Sequence, residues 1–201
     1  MAIHKVKIRN FKCFKGSFEL ELNKGLNILV GNNETGKSTI LEAIHIALTG
    51  LYGGRNIKNE LSQYLFNREV VELYINSVNS GKPLPPPSIS IEIFFDGSIN
   101  PEYEGNNNSE HAPCEGLVCQ IAFDEKYLDE YNALVSKKNM MSLPIEYYEV
   151  TWITFARKNI TIRGIPIKSA MIDSSNYRYQ NGSDIYISRI VKDLLSPEEV
   201  T

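Results

Sequence analysis

The chain has 201 residues, a formal net charge of −3 and 42% hydrophobic residues, enough to bury a core in one large domain. That charge excludes the broadly basic body that binding to a phosphate backbone requires, so any nucleic-acid contact must be local. No run reaches the ~18 uninterrupted apolar residues of a membrane span, and the start, MAIHKVKIRN, lacks the apolar core of a secretory signal, so a soluble cytoplasmic protein with no membrane partner is expected.

In chain order, residues 3–9 (IHKVKIR) and 17–23 (SFELELN) alternate apolar and polar positions and read as two strands, with Lys15-Gly16 as turn material between them. The basic cluster of residues 4–15 interleaves its cations with Val6, Ile8 and Phe11, which fits a strand with one solvated face better than a nucleic-acid patch. Residues 26–30 (LNILV) predict a central strand covered on both faces. From Ser38 to Leu48, Ile40, Leu41, Ile44, Ala47 and Leu48 recur at helical spacing, and Gly50, Gly53 and Gly54 end that helix.

Residues 59–79 favour a further helix, and PLPPPS at 83–88 is a stiff connector into the strand SISIEIFF, with Ile89, Ile91, Ile93 and Phe95 on one face. Residues 97–116, rich in Gly, Asn, Ser and acidic side chains, predict a mobile loop outside the core. LVCQIAF (117–123) and YYEVTWITF (147–155) predict strands flanking a helix over 124–138, NITIRG and IPIKSAMID predict two more, and a helical pattern resumes at Ser183. No internal repeat is visible, and the whole reads as one α/β unit with α+β character built around a single loop-bearing strand and its helix.

That loop is GNNETGKS, a complete G-x-x-x-x-G-K-[ST] placed after an apolar run and before an amphipathic helix. A loop of this length turns the backbone N–H groups of Gly31, Asn32, Asn33, Glu34, Thr35 and Gly36 toward a β-phosphate, and Gly36 permits close approach because it has no Cβ. The helix beginning beside it adds the positive end of its dipole. Lys37 then reaches the β- and γ-phosphates, the Ser38 hydroxyl ligates Mg²⁺, and Thr39 meets the α-phosphate. The chemistry indicated is binding of ATP with Mg²⁺.

Two alternating strands precede this loop, whereas a nucleotide kinase usually begins at it. With Arg9-Asn10-Phe11-Lys12, then Gly25-Leu26-Asn27, then the phosphate loop, the chain resembles the head domains of SMC- and RecF-type, ABC-like ATPases. Within that group, the Asn32-Asn33 pair and the stretch 172–199 look most like the ATPase domains of OLD-family (overcoming lysogenization defect) ATP-dependent endonucleases. The resemblance covers residues 3–50 specifically and 172–199 more weakly.

It implies that Lys12 approaches the nucleotide phosphates, and that a glutamine ligates Mg²⁺ and orients the attacking water. Gln63, Gln120 and Gln180 are the candidates, and Gln180 fits the family order best. It also implies a homodimer in the full-length protein, DNA as a partner, and a C-terminal half completing the head. The OLD reading assigns the lobe to control of a nuclease carried elsewhere. The alternative is the head of a repair or chromosome-maintenance ATPase without its own nuclease, and a small-molecule kinase is a third reading. Glu34 departs from the pattern, since related loops often carry glycine or serine there.

Other constellations lead nowhere. His111, Cys114 and Cys119 lack a fourth partner for a structural zinc site, and three cysteines suit reduced thiols. No Asp-x-Asp pair of a Toprim nuclease occurs, and no Walker B strand or signature loop is recognisable. Ser196-Pro197-Glu198-Glu199 has the form of a capping box opening a new helix just before Thr201, from which a polypeptide cut short, binding ATP weakly and turning it over negligibly, is expected.

Overall fold

The computed structural model describes residues 2–97 and 100–171. The chain divides into two compact units, Met1–Lys168 and Ser169–Thr201, and the elements below lie in the former. The expected helix from Ser183, the capping box at 196–199 and Gln180 lie outside the described residues.

The alternating pattern at the start forms β1 (Ala2–Arg9) and β2 (Ser17–Glu21), paired antiparallel with Val6 opposite Leu20 and Ile8 opposite Phe18. Period-two alternation sends Val6 and Ile8 into the core and leaves Lys5 and Lys7 on the other face. Helix α1 (Lys37–Thr49) follows, then a small hairpin of β3 (Leu51–Tyr52) and β4 (Arg55–Asn56). The buried side of α1 is Ile40, Ala43, Ile46, Ala47 and Leu48, while Leu41, expected inside, is half-exposed.

The helix expected over 59–79 is shorter: α2 spans Arg68–Asn79, with the Asn67 side chain accepting from the Val70 amide at 3.4 Å. Residues 63–67 are drawn away from helical pairing by the β1–β2 corner. The Lys12 amide donates to Leu65 O at 2.8 Å and the Asn67 amide donates to Asn10 O at 2.8 Å. These tertiary bonds satisfy backbone groups that a longer helix would otherwise have used internally.

β5 (Ile89–Asp96), β6 (Glu104–Gly105), β7 (Cys114–Phe123), α3 (Leu128–Val135) and β8 (Tyr148–Thr154) complete the set among the described residues. All pairings are antiparallel, in the order β2-β1-β5-β7-β6, with β8 also on β7. One face of this sheet, carrying Ile89, Ile91, Ile93, Leu117, Cys119, Ile121, Val150 and Trp152, joins the buried side of α1 in a single core. The result is the mixed α/β class expected, with an antiparallel sheet.

Three expectations fail for tertiary reasons. The run 26–30 forms no strand: Leu26, Ile28 and Val30 are 82%, 74% and 89% exposed, and only Leu29 packs toward the core. Its apolar composition asks for burial, but no strand of the described residues lies beside it to supply a ladder. The segment 97–116 adds Tyr103 to the core, and its Asn108 is buried, donating to Ala112 O at 2.8 Å and accepting from the Glu110 amide at 3.0 Å. Finally, residues 159–171 make one isolated bridge, Asn159 to Ile153, and a single 3₁₀ turn in place of two strands. There the backbone is engaged singly, by Ile160 N to Trp152 O at 2.9 Å and by the Tyr103 hydroxyl donating to Gly164 O at 2.6 Å.

Candidate nucleotide site

The phosphate loop, residues 31–36, leads directly into α1, whose first turn carries no acidic residue and receives no side-chain cap. An α-helix leaves its first N–H groups without intrahelical partners, so the start of this 13-residue helix presents donors and a partial positive charge. Gly36, the residue before the helix, has φ +89. A Cβ there would stand 2.9 Å from both Cys13 Sγ and Phe14 Cζ, so the corner between β1 and β2 is pressed against the loop and only glycine fits.

Inside the loop, Thr35 Oγ1 donates to Asn32 O at 2.9 Å, fixing the turn. The Lys37 ammonium reaches back across the cradle and donates to Gly31 O at 2.7 Å and Asn32 O at 2.5 Å. Its ammonium therefore sits over the loop, held by backbone carbonyls. Glu34 takes φ +67, a left-handed conformation that a residue with a Cβ adopts at a penalty. That backbone requirement is the physical reason glycine suits this position.

Beside the helix start is an open pocket of about 410 Å³, lined by Lys12, Cys13, Asn33, Glu34, Gly36, Lys37, Ser38 and Thr39. The fold therefore gathers Lys12 from the β1–β2 corner to the same mouth as Lys37 and Ser38. Donor amides, two ammonium groups and a hydroxyl suit a polyphosphate with its magnesium ion.

Lys12 is held rigidly at its backbone, with φ +47, its amide bonded to Leu65 O and its carbonyl accepting from Asn67 Nδ2 at 2.8 Å. Its ammonium lies 2.5 Å from Glu42 Oε2 and 4.9 Å from the centre of the Tyr52 ring. Burial pulls its pKa down, but hydrogen bonds to Glu42 and Tyr52 and the charge of Glu42 outweigh that, so it stands above the ordinary lysine value. Glu42 was not among the residues read from the sequence as members of this site. Its place four residues after Ser38 in a helix, hence on the same side, was the available signal.

The glutamines separate clearly. Gln63 lies in a 3₁₀ turn and its Oε1 accepts from the Leu143 amide at 3.1 Å, a structural role. Gln120 is on β7, on the face of the sheet turned away from α1, among Arg9, Ser90 and Glu92. Gln180 is outside the described residues. Of His111, Cys114 and Cys119, Cys119 is fully buried on the core face of β7, whereas Cys114, five positions earlier on the same strand, falls on the opposite face. The two sulfurs cannot share an ion.

Comparison with known proteins gives a family described as "AAA domain", matching residues 5–180. Among relatives, the DNA replication and repair protein RecF of Clostridium tetani is 29% identical over 128 residues, 64% of this chain and 33% of that protein. Structural maintenance of chromosomes protein 6 of Saccharomyces cerevisiae is 59% identical over 46 residues, 23% of this chain and 4% of its own length. The DNA double-strand break repair Rad50 ATPase of Methanopyrus kandleri is 50% identical over 46 residues, 23% of this chain and 5% of its own. The chain thus spans a third or less of these curated relatives. A solved structure from work on "ATP-driven dimerization and DNA stimulated activation of SMC ATPases" aligns over 98% of this chain and 93% of its own, with 19% identity and a TM-score of 0.44.

Proposed function

The chain belongs to the AAA domain family, and from that premise we propose that it is the ATP- and Mg²⁺-binding lobe of an SMC/RecF/Rad50-type ATPase that serves DNA repair or chromosome maintenance. The observation carrying this reading is the complete GNNETGKS loop closed by a positive-φ Gly36 against the uncapped start of α1. The loop amides and the helix start hold phosphate oxygens. Lys37 leaves the Gly31 and Asn32 carbonyls to meet the β- and γ-phosphates, Ser38 ligates Mg²⁺, and Thr39 and Lys12 approach the remaining oxygens. When bound, Mg²⁺ offsets the negative charge of the phosphates.

The exposed row Leu26, Ile28 and Val30 supports pairing of residues 26–30 with a strand from the rest of the same head, since a stretch so apolar is unsuited to water. The names of the relatives support DNA as a partner, and the resemblance to SMC- and RecF-type heads supports a second copy of the head. Gln180 is retained as the proposed magnesium and water ligand. A narrower reading, in which the lobe governs an OLD-type endonuclease, is supported by the Asn32-Asn33 pair in the loop. The repair and chromosome-maintenance reading has the broader support.

The test is isothermal titration calorimetry of the 201-residue chain with ATP and Mg²⁺. Lys37→Ala is expected to abolish binding while circular dichroism and thermal unfolding remain those of the wild type. Equal affinities of mutant and wild type would rule the reading out.

A further inference from the structure

Two ammonium groups stand at the mouth of the phosphate loop, and the fold satisfies them differently. Lys37 donates to neutral carbonyls of the loop it belongs to, whereas Lys12 is paired with a full negative charge, Glu42, and both partners of that pair are about three-quarters buried, at 24% and 25% exposure. A carbonyl releases an ammonium to a phosphate readily. A carboxylate in a partly desolvated position competes for it, because charge-assisted hydrogen bonds are the stronger kind and weak screening makes the pair resist separation.

The surroundings restrict how the competition can be resolved. Both backbone ends of Lys12 are pinned, by Leu65 O and by Asn67 Nδ2. The aromatic faces of Tyr52, 4.9 Å away, and Phe11, 5.7 Å away, flank the ammonium. With the backbone held by these bonds, the side chain is the part that swings, and the ammonium shifts toward the pocket by loosening its hold on Glu42. Glu42 itself remains one helical turn beyond Ser38, on the same side of α1.

We propose that Glu42 sets the nucleotide affinity of this lobe: polyphosphate and the Glu42 carboxylate compete for the Lys12 ammonium, and removing the carboxylate's charge tightens binding. The inference rests on the ATP-binding reading above, and it assigns Glu42 a positioning role, exercised through Lys12 without contact to the nucleotide. It also identifies this helix residue, outside the phosphate-loop motif, as a means of tuning that motif.

The experiment is calorimetric titration of the full chain with ATP and Mg²⁺ at fixed ionic strength, for the wild type, Glu42→Gln, Lys12→Ala, the double variant and Lys37→Ala. Glu42→Met, uncharged and of similar length, serves as a second neutralising variant, and thermal unfolding of each is recorded so that only folded protein is titrated. Glu42→Gln and Glu42→Met are expected to lower Kd by roughly three- to five-fold, the upper range of a partly screened ion pair. In the Lys12→Ala background the gain should fall to about two-fold or less, since only direct repulsion between carboxylate and phosphates then remains. A purely structural Glu42 would give no such dependence on Lys12. Binding that Lys37→Ala abolishes but that neutralising Glu42 leaves unchanged or weakens would overturn this proposal alone. Wild-type and Lys37→Ala protein behaving identically would overturn the nucleotide reading and this proposal with it.

Discussion

Replacing Glu34 by glycine should improve the phosphate loop in two separable ways. Glu34 is exposed, lines the pocket beside the start of α1 and has φ +67. A residue with a Cβ in the left-handed region carries a penalty of about 1–2 kcal/mol, from which the greater freedom of glycine in the unfolded chain subtracts about 0.5–1 kcal/mol. A net gain of ~0.5–1 kcal/mol in stability follows. The carboxylate adds a second effect. In water a pair of unit charges at contact distance interacts by about 1 kcal/mol, and less when farther apart, so repulsion between Glu34 and bound phosphates is worth ~0.5–1 kcal/mol, or roughly two- to five-fold in Kd.

Glu34→Gln separates the two contributions, because it keeps the Cβ and loses the charge. Thermal unfolding should therefore rise for Glu34→Gly only, while calorimetry with ATP and Mg²⁺ should show tighter binding for both, by similar factors. A Glu34→Gly protein that is less stable than the wild type and binds ATP more weakly would refute the reasoning, since it would mean that the glutamate side chain makes a contribution that outweighs both terms.

Two further outcomes follow from the packing. Hydrogen bonds from Lys5 and then Lys7, with their charges, hold the Glu110 carboxyl down to about 2. Because the folded pKa is depressed, its stabilisation is complete above the unfolded value of ~4.3 and is lost as pH falls toward 2. Glu110→Gln should thus flatten the decline of stability between about pH 4.5 and pH 2 in acid titrations followed by circular dichroism, by no more than ~1 kcal/mol because the pair is partly solvated. Trp152 is the sole tryptophan and its indole Nε1 donates to Ala47 O at 3.0 Å, capping a carbonyl in the last turn of α1. Trp152→Phe should cost about 1–3 kcal/mol in urea unfolding, through the unpartnered buried carbonyl and the smaller ring.

The sequence by itself determined what depends on near neighbours in the chain. Alternation in β1 and β2 dictated which face of each strand is buried, the Ser38–Leu48 spacing located α1 to within a residue, and GNNETGKS fixed both the loop and the helix that must follow it. These are local matters: side-chain period, glycine at a positive φ, and donors at a helix start. The tertiary structure decided whatever needs a distant partner. The run 26–30 is apolar enough for a central strand, yet a strand exists only where another backbone meets it, and none of the described residues does. Residues 63–67 gave up helical bonds to the β1–β2 corner, and Tyr103 entered the core from a segment whose composition argued against it. Glu42 joined the site because the corner carries Lys12 onto α1 from 30 positions away. That corner is held by Leu65 and Asn67, more than 50 residues beyond it, and no pattern within a single window of sequence could have revealed the pairing.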